Sequence, residues 1–257
     1  MPTGLGGEQM WISASNDNTG TSTAFSDQSG QGNNGTAVGA TVVSDTANGG
    51  TYAFEFDGIN DAISTPFADT STTSTGVFSM ACWVKYDVVF SNAALMSGNL
   101  STNKTGLTMY FDTFSSTRGH GGLLNPNVSG TYDGQCYAGD RDLVLTGQWY
   151  HVAYTGDGTT ARLYINGSEV DNEAQTLTSS SAWNNTLQMG RYFTGTSTAG
   201  GHLDGRMDDA RVYTRTIDQD EVSHLATSRG IEGSPGESSY NPFVTHAFKQ
   251  LFQQRIR

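Results

Sequence analysis

Charge is scarce in this sequence, with Asp, Glu, Lys and Arg making up 15% of 257 residues. Surface helices laced with i,i+4 ion pairs need more than that, so a largely helical architecture is disfavoured. Positive charge is the scarcer sign, 13 basic against 25 acidic residues for a net charge of −12. Nucleic-acid binding draws on clustered Lys and Arg, so no nucleic-acid partner is expected. No stretch approaches the 18 consecutive apolar residues of a membrane-spanning helix, which argues against membrane insertion. The first residues, Met1 to Met10, carry neither a basic cluster nor an apolar core, so no signal peptide is expected. Cysteine is limited to Cys82 and Cys136. The two could pair, or Cys82 could pack as a small hydrophobe within the apolar run Phe78 to Val84. There is no Gly-x-Ser-x-Gly elbow, no phosphate-binding loop and no zinc-spaced Cys/His pattern.

Glycine is plentiful where proline is not, 32 residues against 5. With Ser, Thr and Asn throughout, this composition describes many short strands joined by tight turns, an all-β chain. The clearest stretch is Trp149 to Val170. Trp149 to Thr155 is aromatic and β-branched, Gly156-Asp-Gly158 breaks it, and Arg162 to Ile165 runs into Asn166-Gly167, a two-residue hairpin signal. A turn centred there would oppose Leu163 to Val170 on a core face, and Arg162 to Asp171 and Tyr164 to Glu169 on a wet face.

Further strands are expected at Tyr52 to Phe56, Ala62 to Thr65, Phe78 to Tyr86, Thr105 to Phe111, Asp140 to Leu145, Leu187 to Arg191 and Gly205 to Tyr213. The glycine-rich stretch from Asp112 to Gly139 reads as one long loop, and loops of that length are usually functional or mobile. In the strand at Gly205 to Tyr213, Asp208 shares a parity with Ala210 and Val212, which places it on the buried side. One short helix is expected near 218–228, with Asp218 as N-cap, Glu221 three residues on, Ile217 and Val222 as a hydrophobic staple, and Arg229-Gly230 as its end.

Six segments together carry a resemblance: Asp27 to Gly35, Phe54-Glu-Phe-Asp-Gly58, Phe78 to Lys85 around Trp83, Trp149-Tyr-His-Val-Ala153, Leu163-Tyr-Ile-Asn-Gly167 and Gly205 to Tyr213. In this order they resemble the laminin G-like, concanavalin A-like jelly-roll family over about residues 8–230. The resemblance implies a two-sheet antiparallel jelly-roll sandwich, with ligands and calcium held by loops at one rim. It does not fix an activity, because function varies widely on this fold. The organisation expected is an N-terminal arm at 1–7, the jelly roll at 8–230, a linker at 231–242 and a tail at 243–257.

Glu169-Val-Asp-Asn-Glu173 resembles the Glu-x-Asp-x-Glu strand of laminarinase- and agarase-type hydrolases, where alternate carboxylates face the sugar. Asn172 departs from that pattern, and the alternative is a return strand with its carboxylates in water. A non-enzymatic module is therefore the expectation, with glycoside hydrolysis by Glu169 and Glu173 as its rival. Calcium is the cofactor that Asp57 and Asp61 in the turn Asp57-Gly-Ile-Asn-Asp61, together with a buried Asp208, would take. The other reading gives Asp57 and Asp61 Asx turns and Asp208 backbone donors. His151 reads as a structural histidine rather than a base. Trp183, Tyr192 and Phe193 lie in or beside loops, where exposed rings can stack on sugar faces.

The tail repeats its apolar residues every four positions: Phe243 and Val244, Ala247 and Phe248, Leu251 and Phe252, then Ile256. That spacing gives an amphipathic helix that is marginal alone, so its stripe is expected to dock, either on its own domain or on another subunit. A jelly roll without an export signal, recognising carbohydrate or a cell surface from a larger assembly, fits a virion component such as a bacteriophage decoration or fibre-associated protein. A purely structural subunit, or an extracellular protein released by a signal-independent route, is the alternative.

Overall fold

The computed structural model of the chain describes residues 5–15, 23–45, 50–68, 75–89, 93–100, 104–111, 119–124, 133–139, 144–175, 186–192 and 201–227. The linker and the tail at 243–257 lie outside the described residues. Among the described residues sixteen strands form two antiparallel sheets packed face to face. In chain order they are β1 (Glu8–Ile12), β2 (Ala24–Phe25), β3 (Gly35–Val38), β4 (Thr41–Ser44), β5 (Tyr52–Asp57), β6 (Ala62–Thr65), β7 (Val77–Val88) and β8 (Ala93–Leu100). Then come β9 (Lys104–Phe111), β10 (His120–Leu124), β11 (Asp133–Tyr137), β12 (Trp149–Asp157), β13 (Thr160–Ile165), β14 (Ser168–Ala174), β15 (Leu187–Met189) and β16 (Asp204–Tyr213). The first sheet has the order β14-β13-β12-β7-β16-β5-β4, with β1 also on β16, and the second the order β11-β10-β9-β8-β15-β6-β3-β2.

Alternation explains how each strand serves two environments. On β7, Phe78, Met80, Cys82, Val84 and Tyr86 point between the sheets, where they meet Leu95, Leu107, Met109, Phe111, Leu187 and Met189 of the second sheet. Ala81 and Trp83 point the other way. That outer face is covered by the helix α1 (Gln219–Leu225), whose Val222 and Leu225 pack with Ile217 on Ala81, Ala153, Tyr164 and Tyr213. Asp218 caps α1 in a complete capping box with Glu221. The Asn166-Gly167 turn has both residues at positive φ, 50° and 81°, as a type I′ hairpin requires. The same glycine admits the helix, because a Cβ on Gly167 would lie 3.2 Å from Ala226 and 3.3 Å from Ser223.

Several sequence expectations need correction. The β13–β14 register opposes Leu163 to Asp171 and Arg162 to Asn172, although Tyr164 does face Glu169. Val170 is the extra residue of a β-bulge, 38% exposed rather than in the core. β14 is a sheet edge, where a bulge disturbs pairing on one side only. The stretch from 112 to 139 is not one loop but contains β10 and β11. Gly122 hid the first of these strands: it faces the core, where a Cβ would run into the Tyr154 ring. Val144 and Leu145 lie outside any strand, while 140–143 lie outside the described residues. β15 ends at Met189, short of Arg191. The helix stops at Leu225 with Ala226 as C-cap, earlier than Arg229-Gly230, because Thr227 takes the His224 carbonyl with both its amide and its hydroxyl.

The parity of β16 also breaks. Asp208 lies opposite the outward-facing Trp83, and a bulge follows at Asp209, whose φ is +53°. The bulge returns Ala210 and Val212 to the core while leaving Asp208 on the outer side. Asp208 is nonetheless fully buried, because the turn after β1 folds over it. Cys82 and Cys136 are both free and buried.

Candidate functional site

The outer face of the second sheet assembles residues that are far apart in the chain. On β9, Leu107, Met109 and Phe111 take the core, so Tyr110 turns outward. On β11, Cys136 takes the core and Tyr137 turns outward. Between the two, Gly121 of β10 opposes both Tyr110 and Tyr137. A Cβ there would come within 3.1 Å of the Tyr110 ring, so the missing side chain is the space the rings use. The two rings stand edge to face, 6.3 Å between centroids, and the Tyr110 hydroxyl donates to that of Tyr137 at 3.1 Å. The ring of Tyr192 lies 6.0 Å from Tyr110, and Gln135 Nε2 donates to the Tyr110 hydroxyl at 3.3 Å. Tyr110 is buried as the floor of this cluster, while Tyr137, Tyr192 and Gln135 are partly exposed.

A second row runs beside the tyrosines. Thr108, Ser97, Gln188, Ser64 and Thr36 stand opposite one another across β9, β8, β15, β6 and β3. Thr108 and Ser97 share a hydrogen bond of 3.3 Å. Gln188 Nε2 donates to Ser64 Oγ at 2.7 Å and to Thr186 Oγ1 at 3.0 Å. Gln188 Oε1 accepts from Arg191 Nε at 3.2 Å and from Arg191 Nη2 at 3.0 Å. Ser97 and Thr108 are fully buried and Gln188 is 2% exposed, so this ladder supports the face from beneath. The partly exposed groups are the rings of Tyr137 and Tyr192, the amide of Gln135 and the guanidinium of Arg191, a set that suits recognition of a polyhydroxylated ligand.

Of the ring residues singled out from sequence, Tyr192 joins this cluster, whereas Trp183 and Phe193 lie outside the described residues. The docking residues Phe243, Val244, Phe248, Leu251, Phe252 and Ile256 lie outside them too. Tyr110, Tyr137, Gln135, Gln188 and Arg191, which the structure brings to this face, were not singled out from sequence. The alternation of β9, with Tyr110 between Met109 and Phe111, was the one available signal; the pairing of β10 with β9 and β11 was not readable through the glycines.

The metal candidates do not converge. Asp208 Oδ1 accepts from the amides of Ala14 and Asp209, each at 2.8 Å, and from Ser13 Oγ at 3.1 Å, while Oδ2 accepts from Ser15 Oγ at 2.9 Å. It lies four residues along β16 from Asp204, which opposes Asp57, a separation of roughly 13 Å. Asp57 Oδ1 accepts from the amides of Ile59 and Asn60, an Asx turn, and the Ile59 bond leads in holding its carboxyl below the usual range. Asp61 Oδ2 accepts from the Asp57 amide, and burial pushes its carboxyl up. Among the described residues no three His, Cys, Asp or Glu side chains are grouped to hold a metal ion.

The carboxylates of β14 are divided by the bulge. Glu169 opposes the outward Tyr164, whereas Asp171 and Glu173 oppose Leu163 and Ala161, whose side chains enter the core. Asp171 Oδ2 accepts from the Tyr137 amide at 2.8 Å, joining the edges of the two sheets. Glu169 accepts from Asn172 at 3.0 Å and lies 3.7 Å from Arg162. Glu169 and Glu173 therefore sit on opposite sides of one strand, whereas a hydrolytic pair must flank a single glycosidic bond. Burial raises the Cys136 thiol to about 12 and the Cys82 thiol further, which leaves both protonated and poor nucleophiles. His151 is held neutral, its pKa pushed down to about 3 by burial and then by nearby Arg211.

The profile of Laminin_G_3, the concanavalin A-like lectin/glucanases superfamily, matches residues 56–223. Among curated proteins none matches the chain. Among solved structures, domain 4 of AbnA, a GH43 extracellular arabinanase from Geobacillus stearothermophilus, in complex with arabinotriose, superposes with a TM-score of 0.61 at 18% identity, over 85% of this chain and 98% of that one. The binding domain of botulinum neurotoxin serotype D gives a TM-score of 0.63 at 14% identity, over 86% and 51%. The binding domain of botulinum neurotoxin DC in complex with SialylT gives 0.61 at 12%, again over 86% and 51%. The chain thus spans about half the length of the toxin domains it matches. At these identities the likeness is one of fold.

Proposed function

The chain belongs to the concanavalin A-like lectin/glucanases superfamily, and on that premise we propose that it is a non-catalytic module binding glycans on the outer face of its second sheet. The observation that carries this reading is the row Tyr110, Gly121 and Tyr137, with Tyr192 and the partly exposed amide of Gln135 beside it. Sugar rings present apolar faces to aromatic side chains and hydroxyls to amides, and this surface offers both. The arabinanase domain and the toxin domain seen with SialylT support the same ligand class. The separation of Glu169 from Glu173 supports binding without hydrolysis. The test is a glycan array with wild type, Tyr137→Ala and Tyr192→Ala, alongside reducing-sugar release from laminarin and agarose. Array binding that either alanine variant weakens, with no sugar released, supports the reading; release abolished by Glu169→Gln or Glu173→Gln contradicts it.

The apolar stripe of the tail extends the reading to attachment. Phe243, Val244, Phe248, Leu251, Phe252 and Ile256 recur at helical spacing, which suits docking on a partner subunit and display on a larger assembly such as a bacteriophage virion.

A further inference from the structure

Arg191 stands apart from the other described cations. Arg162 pairs with Asp157 at 2.6 Å, Arg206 with Glu55 at 3.0 Å and Asp45 at 3.2 Å, Arg211 with Asp209 at 2.9 Å and Arg215 with Glu221 at 2.7 Å. Lys85 pairs with Asp45. Among the described side chains, Arg191 is the one Lys or Arg without a carboxylate partner, in a chain where acidic residues outnumber basic ones 25 to 13. Its protein acceptor is the neutral Gln188 Oε1. Burial pushes the guanidinium pKa down, and no neighbouring acid opposes that shift. A partly desolvated cation facing a binding surface with no counter-charge is costly, and that cost is met when a ligand supplies the anion.

The geometry of the guanidinium is also set in advance. Gln188 is 2% exposed, and its amide is fixed from below by Ser64 and Thr186. Its oxygen takes the Nε and Nη2 protons of Arg191, which holds the guanidinium plane and leaves the Nη1 protons and the second Nη2 proton for a bidentate acceptor. The adjacent residue, Tyr192, reaches the tyrosine cluster.

We infer that the glycan bound on this face is acidic, its carboxylate or sulfate received by Arg191 while a neighbouring ring of the same chain meets Tyr137 and Tyr192. This rests on the glycan-binding reading above. Carboxylate and sulfate share the planar two-oxygen recognition that a guanidinium fork provides.

The experiment measures affinities for matched pairs of oligosaccharides. Oligogalacturonates are compared with their methyl esters, and sulfated galactan oligosaccharides with their desulfated forms, for wild type, Arg191→Gln, Arg191→Lys and the paired-cation control Arg162→Gln. Wild type is expected to bind the acidic member of one pair roughly ten- to a hundredfold more tightly than its neutral twin, the worth of a charge-assisted hydrogen bond. The pair that responds identifies the anion. The ratio should fall towards one in Arg191→Gln, stay intermediate in Arg191→Lys, which keeps the charge without the fork, and remain intact in Arg162→Gln. Thermal unfolding of each variant separates lost folding from lost recognition. Equal wild-type affinity for both members of each pair, abolished by Tyr137→Ala, would overturn the inference and leave the glycan-binding reading standing. A preference that survives in folded Arg191→Gln would overturn it as well, and a glycan array on which nothing binds would overturn both.

Discussion

At Asp208 a single carboxylate ties the turn after β1 to the bulge of β16, through the amides of Ala14 and Asp209 and the hydroxyls of Ser13 and Ser15. Replacing it by alanine strands those donors in a buried site and should cost about 3 kcal/mol, measured as a lowered denaturation midpoint at unchanged m-value. Calcium chelation should leave the wild-type Tm where it is; a drop would return the metal reading to the Asp57–Asp61 turn. The sequence showed that Asp208 needed partners, but nothing in Asp208-Asp209 foretold the positive φ that moves it to the outer side. His151 makes a second prediction at this scale. Its folded pKa is about 3 against the ordinary 6.5, so in that window the unfolded chain binds a proton that the folded chain refuses. The stability present above pH 6.5 is therefore lost as pH falls, at up to about 1.4 kcal/mol per pH unit. Urea midpoints at pH 7 and pH 5 should differ less in His151→Leu than in wild type; an equal difference would assign the acid sensitivity to other groups.

Strands such as β5, β6, β7 and β12 were legible because their side chains alternate between core and outer environments, and the Asn166-Gly167 turn because both residues accept positive φ. β10 and β11 were not legible, since glycines that make room for Tyr154 and Tyr110 read locally as loop. This gives a prediction that loop and strand answer differently. Gly122→Ala places a methyl against the Tyr154 ring and should destabilise the fold by about 1–3 kcal/mol. A neutral outcome would mean that β10 does not pack as described. The Glu-x-Asp-x-Glu spacing does not put its carboxylates on one face for a related reason: sequence spacing assumes strict alternation, and one bulge at Val170 inverts it.

For the whole molecule, the order of six weak segments was enough to place the fold, because a sandwich requires strands and turns in sequence order. The proposed binding face was not readable in the same way, since it draws on β9, β10, β11 and β15, which meet only through sheet pairing. Among the described residues the two sheets enclose a continuous core. If the tail docks on a partner subunit as proposed, truncation after Gly233 is expected to leave the Tm unchanged while abolishing that docking; a fall of many degrees would make the tail part of the domain. The central claim is most directly tested by an amide chemical-shift titration of the isotope-labelled protein with the oligosaccharide it binds most tightly. Shifts should concentrate at Tyr110, Gly121, Tyr137, Gln188, Arg191 and Tyr192, and vanish in Tyr137→Ala. Shifts centred instead on Asp57–Asp61 or on Glu169–Glu173, with the tyrosine face undisturbed, would contradict the account.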